Sequence, residues 1–107
     1  MSELDKLQEY LEQNGYKIKR IDTYPTVSML AMSGMFGLEK GYGERHQIVV
    51  YKEDGNIWWD AICHWGSYGF ESGLLEIMGP EGLCNNADDR VEGWLTAQEI
   101  INRLEAL

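Results

Sequence analysis

Two cysteines and two histidines are the side chains best suited to nucleophilic or metal chemistry here, and they stand at Cys63, Cys84, His46 and His64. Neighbouring residues on a strand point to opposite faces, so Cys63 and His64 cannot serve as a nucleophile and its base. The hairpin described below places His46 across from Cys63 instead, which is the minimum arrangement for a thiolate with a histidine base. No orienting third residue is evident. A thiol enzyme built on Cys63 and His46 is therefore one alternative, and an inert small hydrophobe on an aromatic strand is the other. Structural zinc sites draw on close pairs such as Cys-x-x-Cys, which these scattered residues do not form. The run Asn85-Asn86-Ala87-Asp88-Asp89 offers oxygen ligands but lacks the alternating spacing and the closing glutamate of a helix-loop-helix calcium site. No metal and no cofactor are expected.

Carboxylates are the more numerous chemical group. Residues 1–52 hold seven acids and seven bases, whereas residues 53–107 hold eleven acids and two bases, so the whole formal charge of −9 lies in the second half. A surface of that sign repels phosphate backbones and anionic lipid, which disfavours direct nucleic-acid binding and membrane binding. It suits a basic protein surface, because one-signed patches steer encounter with their opposite. The acids expected to form such a face are Glu71, Glu76, Glu81, Asp88, Asp89 and Glu92, with Tyr68 and Phe70 as aromatic anchors in the loop Gly66-Ser67-Tyr68-Gly69-Phe70-Glu71-Ser72-Gly73. A second class of function uses that same glycine and aromatic loop to hold a small, nucleotide-like ligand near Trp65 and Tyr68, with backbone amides for polar contacts. The loop lacks the Gly-Lys-Ser/Thr ending of a phosphate loop, and no lysine or arginine occurs between Lys52 and Arg90.

The elements that must position these groups are marked locally. Ser2 and Asp5 form a capping box ahead of Leu4, Leu7 and Leu11, and Asn14-Gly15 supplies a stop, which predicts a helix over residues 3–14. Residues 16–24 alternate β-branched and aromatic side chains with charges, with a phase slip between Ile18 and Ile21 that predicts a bulge. Met29, Met32 and Met35 recur at a spacing of three, as on a core-filling helical turn or an adaptable docking surface. Residues 47–52 and 57–65 flank Asp54-Gly55, a favoured hairpin pair. If those two residues are the turn, facing positions sum to 109, which sets Ile48 against Ala61, Val50 against Trp59, Val49 against Asp60, Gln47 against Ile62 and Tyr51 against Trp58. Large apolar groups on both faces predict a pair covered on both sides. Residues 74–78 read as a helical turn, residues 81–90 as a polar loop, and Thr96 with Glu99 opens a C-terminal helix whose stripe is Ala97, Ile100, Ile101 and Leu104.

The run Trp59-Asp60-Ala61-Ile62-Cys63-His64-Trp65-Gly66-Ser67-Tyr68-Gly69, continued by Gly73-Leu74-Leu75-Glu76 and by Val91-Glu92-Gly93-Trp94-Leu95-Thr96-Ala97, resembles uncharacterised small acidic proteins of bacteriophages and other mobile elements. The resemblance covers about half of the chain and carries no assigned binding or catalytic residues. By analogy it implies an inhibitor of host defence, of the anti-CRISPR or anti-restriction type, that occupies the basic channel of a nucleic-acid-handling enzyme.

With 107 residues, 44% of them hydrophobic and 25% charged, the sequence predicts a single domain over 1–107 of class α+β: an antiparallel sheet of about three strands with a central hairpin, packed by N-terminal and C-terminal helices. Its first residues, Met1-Ser2-Glu3-Leu4-Asp5, are unlike a secretory signal, and two cysteines are too few for a disulfide framework. A cytoplasmic, non-enzymatic binding protein is the expectation.

Overall fold

In the computed structural model, which describes residues 1–26, 43–80, 82–84 and 90–107, two helices pack on a five-stranded antiparallel sheet. Helix α1 (Glu3–Gln13) opens with the capping box: Ser2 Oγ accepts from the Asp5 amide at 3.0 Å and Asp5 Oδ2 from the Ser2 amide at 3.4 Å. It ends where the Gly15 amide donates to the Glu12 carbonyl and the Tyr16 amide to that of Leu11, which satisfies carbonyls the helix leaves open. Strand β1 (Lys17–Thr23) follows at once and pairs with β2 (Arg45–Tyr51) in continuous register. The bulge expected within β1 is absent. Ile18 and Arg20 lie on the helix-facing side and Ile21 on the other; the phase slip arises because Arg20 is covered by α1, where its guanidinium bonds Asp5 Oδ1 at 2.9 Å and Gln8 Oε1 at 3.0 Å.

The hairpin from β2 to β3 (Ile57–Ile62) keeps the expected pairs from Gln47 with Ile62 to Val50 with Trp59, and then departs from them. Tyr51 faces Ile57, not Trp58. The reason is the turn: the Gly55 amide donates to the Lys52 carbonyl and the Lys52 amide to that of Asn56, with Gly55 at φ +91, so the loop has three residues instead of two. One residue is thereby left over on β3. It is Trp58, which swings against Tyr16 with ring centroids 6.5 Å apart and planes inclined by 24°.

Residues 74–78 form no helix. Strand β4 (Leu75–Met78) pairs on one side with β3 and on the other with β5 (Val91–Leu95), so the sheet has the order β1-β2-β3-β4-β5 and five strands where about three were expected. Leu75 and Ile77 are wholly buried while Glu76 and Met78 are not, the alternation of a strand with one covered face. Here too the ladder slips by one: Leu75 faces Leu95 but Ile77 faces Glu92, which leaves Gly93 and Trp94 together opposite Glu76. Helix α2 (Ala97–Ala106) closes the chain behind the capping box of Thr96 and Glu99.

The core lies between one face of the sheet and the two helices. Leu4, Leu7 and Leu11 from α1 and Ala97, Ile100, Ile101 and Leu104 from α2 meet Ile48, Val50, Trp59, Ala61, Leu75 and Ile77. Among the described residues both helices sit on that same face. The opposite face carries a polar pair, Gln47 Nε2 donating to Asp60 Oδ2 at 2.7 Å, beside the buried Val49. Burial pushes the Asp60 carboxyl above its ordinary range. Among the described residues, no helix is long and apolar enough to cross a membrane.

Candidate functional site

Strand β3 leads into a loop whose base is His64. The residue is only 7% exposed, and Nδ1 accepts from the His46 amide at 2.9 Å, which places the proton of the neutral ring on Nε2. Its own amide donates to Ser67 Oγ at 3.0 Å, and the Ser67 hydroxyl and amide return bonds to the His64 carbonyl at 2.7 and 2.8 Å. Burial, with Arg45 nearby, pulls the imidazole down to about 4. His64 thus ties the start of β2 to the glycine loop as a neutral group.

Residues 65–71 then fold against β5 to form a cleft of about 280 Å³, walled by Trp65, Tyr68, Phe70 and Trp94 with Glu71 beside them. Phe70 and Glu71 belong to a single 3₁₀ turn, Phe70–Ser72. Three of the four rings face solvent: Trp65 is 39% exposed, Tyr68 64% and Trp94 58%. Two glycines make this approach of loop and strand possible. A Cβ on Gly69 would stand 3.2 Å from the Trp94 Cα, and one on Gly93 would collide with the Tyr68 Cβ. The Trp94 amide donates to the Tyr68 carbonyl at 3.4 Å, and Glu76 Oε1 accepts from the Tyr68 amide at 3.3 Å, so the loop is held from the strand and from beneath.

Trp94 itself adopts φ +61. That region is unfavourable for a bulky side chain by roughly 1–2 kcal/mol, and the reason it is occupied here is the extra residue in β5, which turns the indole outward into the cleft. The strain gives a test independent of any ligand. Trp94→Gly is expected to be more stable than Trp94→Ala by about 1 kcal/mol in urea unfolding, the reverse of the order at a regular strand position. Alanine equal to or better than glycine there would show that the left-handed backbone is not retained.

The three described acids of the expected face stand in different settings. Glu71 stands at the cleft. Glu76 supports the Tyr68 amide from below. Glu92 points to the helix face, where Arg103 grips it through two bonds of 3.0 and 2.7 Å and also donates to the Leu83 carbonyl at 3.0 Å. Glu81, Asp88 and Asp89 lie outside the described residues, as do Met29, Met32, Met35 and the run 85–89. Of the two anchors, Tyr68 is exposed and Phe70 half-buried. Trp94, which charge and loop arguments pass over, completes the cleft; the only hint of it in the sequence is the Gly-Trp pair interrupting an otherwise strand-like run.

His46 and Cys63 do face each other across the ladder, the Cys63 amide donating to the His46 carbonyl at 2.8 Å. The imidazole, however, is engaged by carboxylates: Nδ1 lies 2.8 Å from Asp22 Oδ1 and Nε2 3.8 Å from Glu44 Oε2, with Tyr24 edge-on at 5.5 Å. The bond from His46 holds the Asp22 carboxyl below its usual range. Burial and the Glu44 charge push the Cys63 thiol up, which favours the unreactive protonated form. Cys84 is a buried thiol bonded to the Arg90 carbonyl at 3.1 Å. Among the described residues no three histidine, cysteine or acidic side chains converge as a metal site. No protein-family model, curated protein or solved structure matches the chain.

Proposed function

We propose that this chain is a non-enzymatic binding protein that docks on a basic surface of a protein partner, with the aromatic cleft receiving a cationic side chain of that surface. The observation that carries the reading is Trp94, a large apolar residue held in a strained backbone conformation with its ring open to solvent beside three other aromatics. Strain of this kind collects where a surface has a task, and aromatic faces attract cations by about 0.5–1 kcal/mol when exposed and about 2 kcal/mol when desolvated. Glu71 adds a carboxylate, and among the described residues that wall the cleft there is no lysine or arginine. That charge balance favours a cation over an anionic, nucleotide-like ligand at this loop.

Sheet order supports the same orientation. Lys17, Lys19 and Arg20 belong to β1, at the opposite edge from β5, four strand spacings or about 19 Å away, so they do not neutralise the cleft. With the resemblance of residues 59–76 and 91–97 to mobile-element proteins, the partner we propose is a nucleic-acid-handling host-defence enzyme whose basic channel supplies the cation.

The direct test titrates the protein with a tetra-arginine peptide while tryptophan fluorescence is followed at low and moderate salt. Saturable binding that weakens with salt is expected, with a loss of about tenfold in Trp94→Ala and a smaller salt dependence in Glu71→Gln. Unchanged affinity in Trp94→Ala would remove the cleft from the mechanism. Affinity capture from a host lysate, at two ionic strengths and with Trp94→Ala beside the wild type, then identifies the partner.

A further inference from the structure

A second cleft opens where β3 begins, at the other end of that strand from the aromatic loop. It lies between the turn that joins α1 to β1 and the turn that joins β2 to β3, and its volume is about 510 Å³, within the range of small-molecule sites. Tyr16, Lys17, Tyr51, Lys52, Glu53 and Trp58 line it. We infer that this cleft binds a mononucleotide, that is, a planar heteroaromatic ring carrying a phosphate.

Three features combine to that end. Trp58 is the residue left over by the slip in the β2–β3 ladder, and it packs half-buried against Tyr16 in a near-parallel pair at the cleft wall, a flat apolar surface of the kind on which bases stack. Lys17 comes to it from β1 and Lys52 from the turn after β2, and the Lys17 ammonium reaches to within 3.4 Å of the Glu53 carbonyl. Two ammonium groups and the Glu53 carboxylate stand at this cleft, with Asp54 close enough to Lys52 to feel its charge. Two ammonium groups beside an aromatic platform fit a ligand with one flat face and one phosphate. This inference is independent of the cation-binding reading, since the two clefts share no residue.

The experiment is a fluorescence titration of the full chain with adenosine monophosphate, with adenosine and inorganic phosphate as separate arms. Saturable quenching by the nucleotide is expected, with weaker binding of either half alone. In the double variant Lys17→Ala, Lys52→Ala the nucleotide affinity should fall about tenfold while adenosine binding is retained, and in Trp94→Ala it should be unchanged. Three results would overturn the inference: no saturable change up to about 10 mM nucleotide, an affinity for inorganic phosphate equal to that for the nucleotide, or undiminished nucleotide binding in the double lysine variant. Both lysines are exposed, so the variant is expected to melt with the wild type.

Discussion

Replacing Trp59 by alanine is expected to lower the free energy of unfolding by about 3–5 kcal/mol. The side chain is 1% exposed and stands in the middle of the sheet, opposite Val50, with helices on its far side. Gly79 packs directly on it: a Cβ there would come within 2.8 Å of the Trp59 Cβ. Backbone on that side cannot close over the vacancy without breaking the end of β4, so much of the cavity would persist. Among the described residues the indole Nε1 has no hydrogen-bond partner, and a buried donor in that state costs about 1–3 kcal/mol. Trp59→Phe removes the donor together with part of the ring and is expected to stay within about 1 kcal/mol of the wild type. Urea unfolding of both variants checks the pair of values. A phenylalanine variant as unstable as the alanine one would mean that the indole N–H is satisfied after all.

Acid should destabilise the protein through His64 before it does so through the paired carboxylates. The imidazole titrates at about 4 in the folded chain against 6.5 for the unconstrained side chain. Between those values the unfolded chain takes up a proton at this position that the folded chain does not, so stability falls as pH falls, by at most about 1.4 kcal/mol per pH unit. Asp5 and Asp22, held below their ordinary range by Arg20 and His46, add losses of the same sign only nearer pH 3.8 and below. Asp60 acts in the opposite sense just above pH 3.8, because its folded form holds its proton to higher pH. In His64→Asn the amide oxygen can take the place of Nδ1 and accept from the His46 amide. That variant is expected to lose the slope between pH 6.5 and 4 while remaining folded, as read from unfolding midpoints over the pH series. Persistence of the slope would assign it to another group.

Much of this architecture is legible residue by residue because it is set by local chemistry. Ser2 with Asp5 and Thr96 with Glu99 announce the two described helices through bonds that span three residues, and four rungs of the central ladder match the register of an Asp54-Gly55 turn because the third turn residue and the extra Trp58 offset each other. What escapes is decided at longer range. Residues 74–78 are too short a run to declare a period, and they become a strand because β3 and β5 offer partners on both sides. Residues 91–95 hide theirs behind Gly93 and an outward Trp94. The site shows the same division. Tyr68 reads as an exposed recognition residue from its loop, whereas Trp94 needs a backbone conformation that no tryptophan advertises. Glu76 and Glu92 read as surface charge but spend their oxygens on the Tyr68 amide and on Arg103, partners that only the folded chain supplies.

The two slips in the ladders have a bearing on how such a protein can change over generations. Each is a single supernumerary residue, one in β3 and one in β5, and beyond each the alternation of inward and outward positions resumes. In β5 the frame therefore separates upkeep from contact: what Trp94 touches can drift by substitution, or be erased by losing one codon, without altering which side chains point inward, whereas Trp58 on the central strand also packs on the core. A lineage chasing a moving target could rewrite one edge of the sheet and leave the other edge, and the interior, as they were.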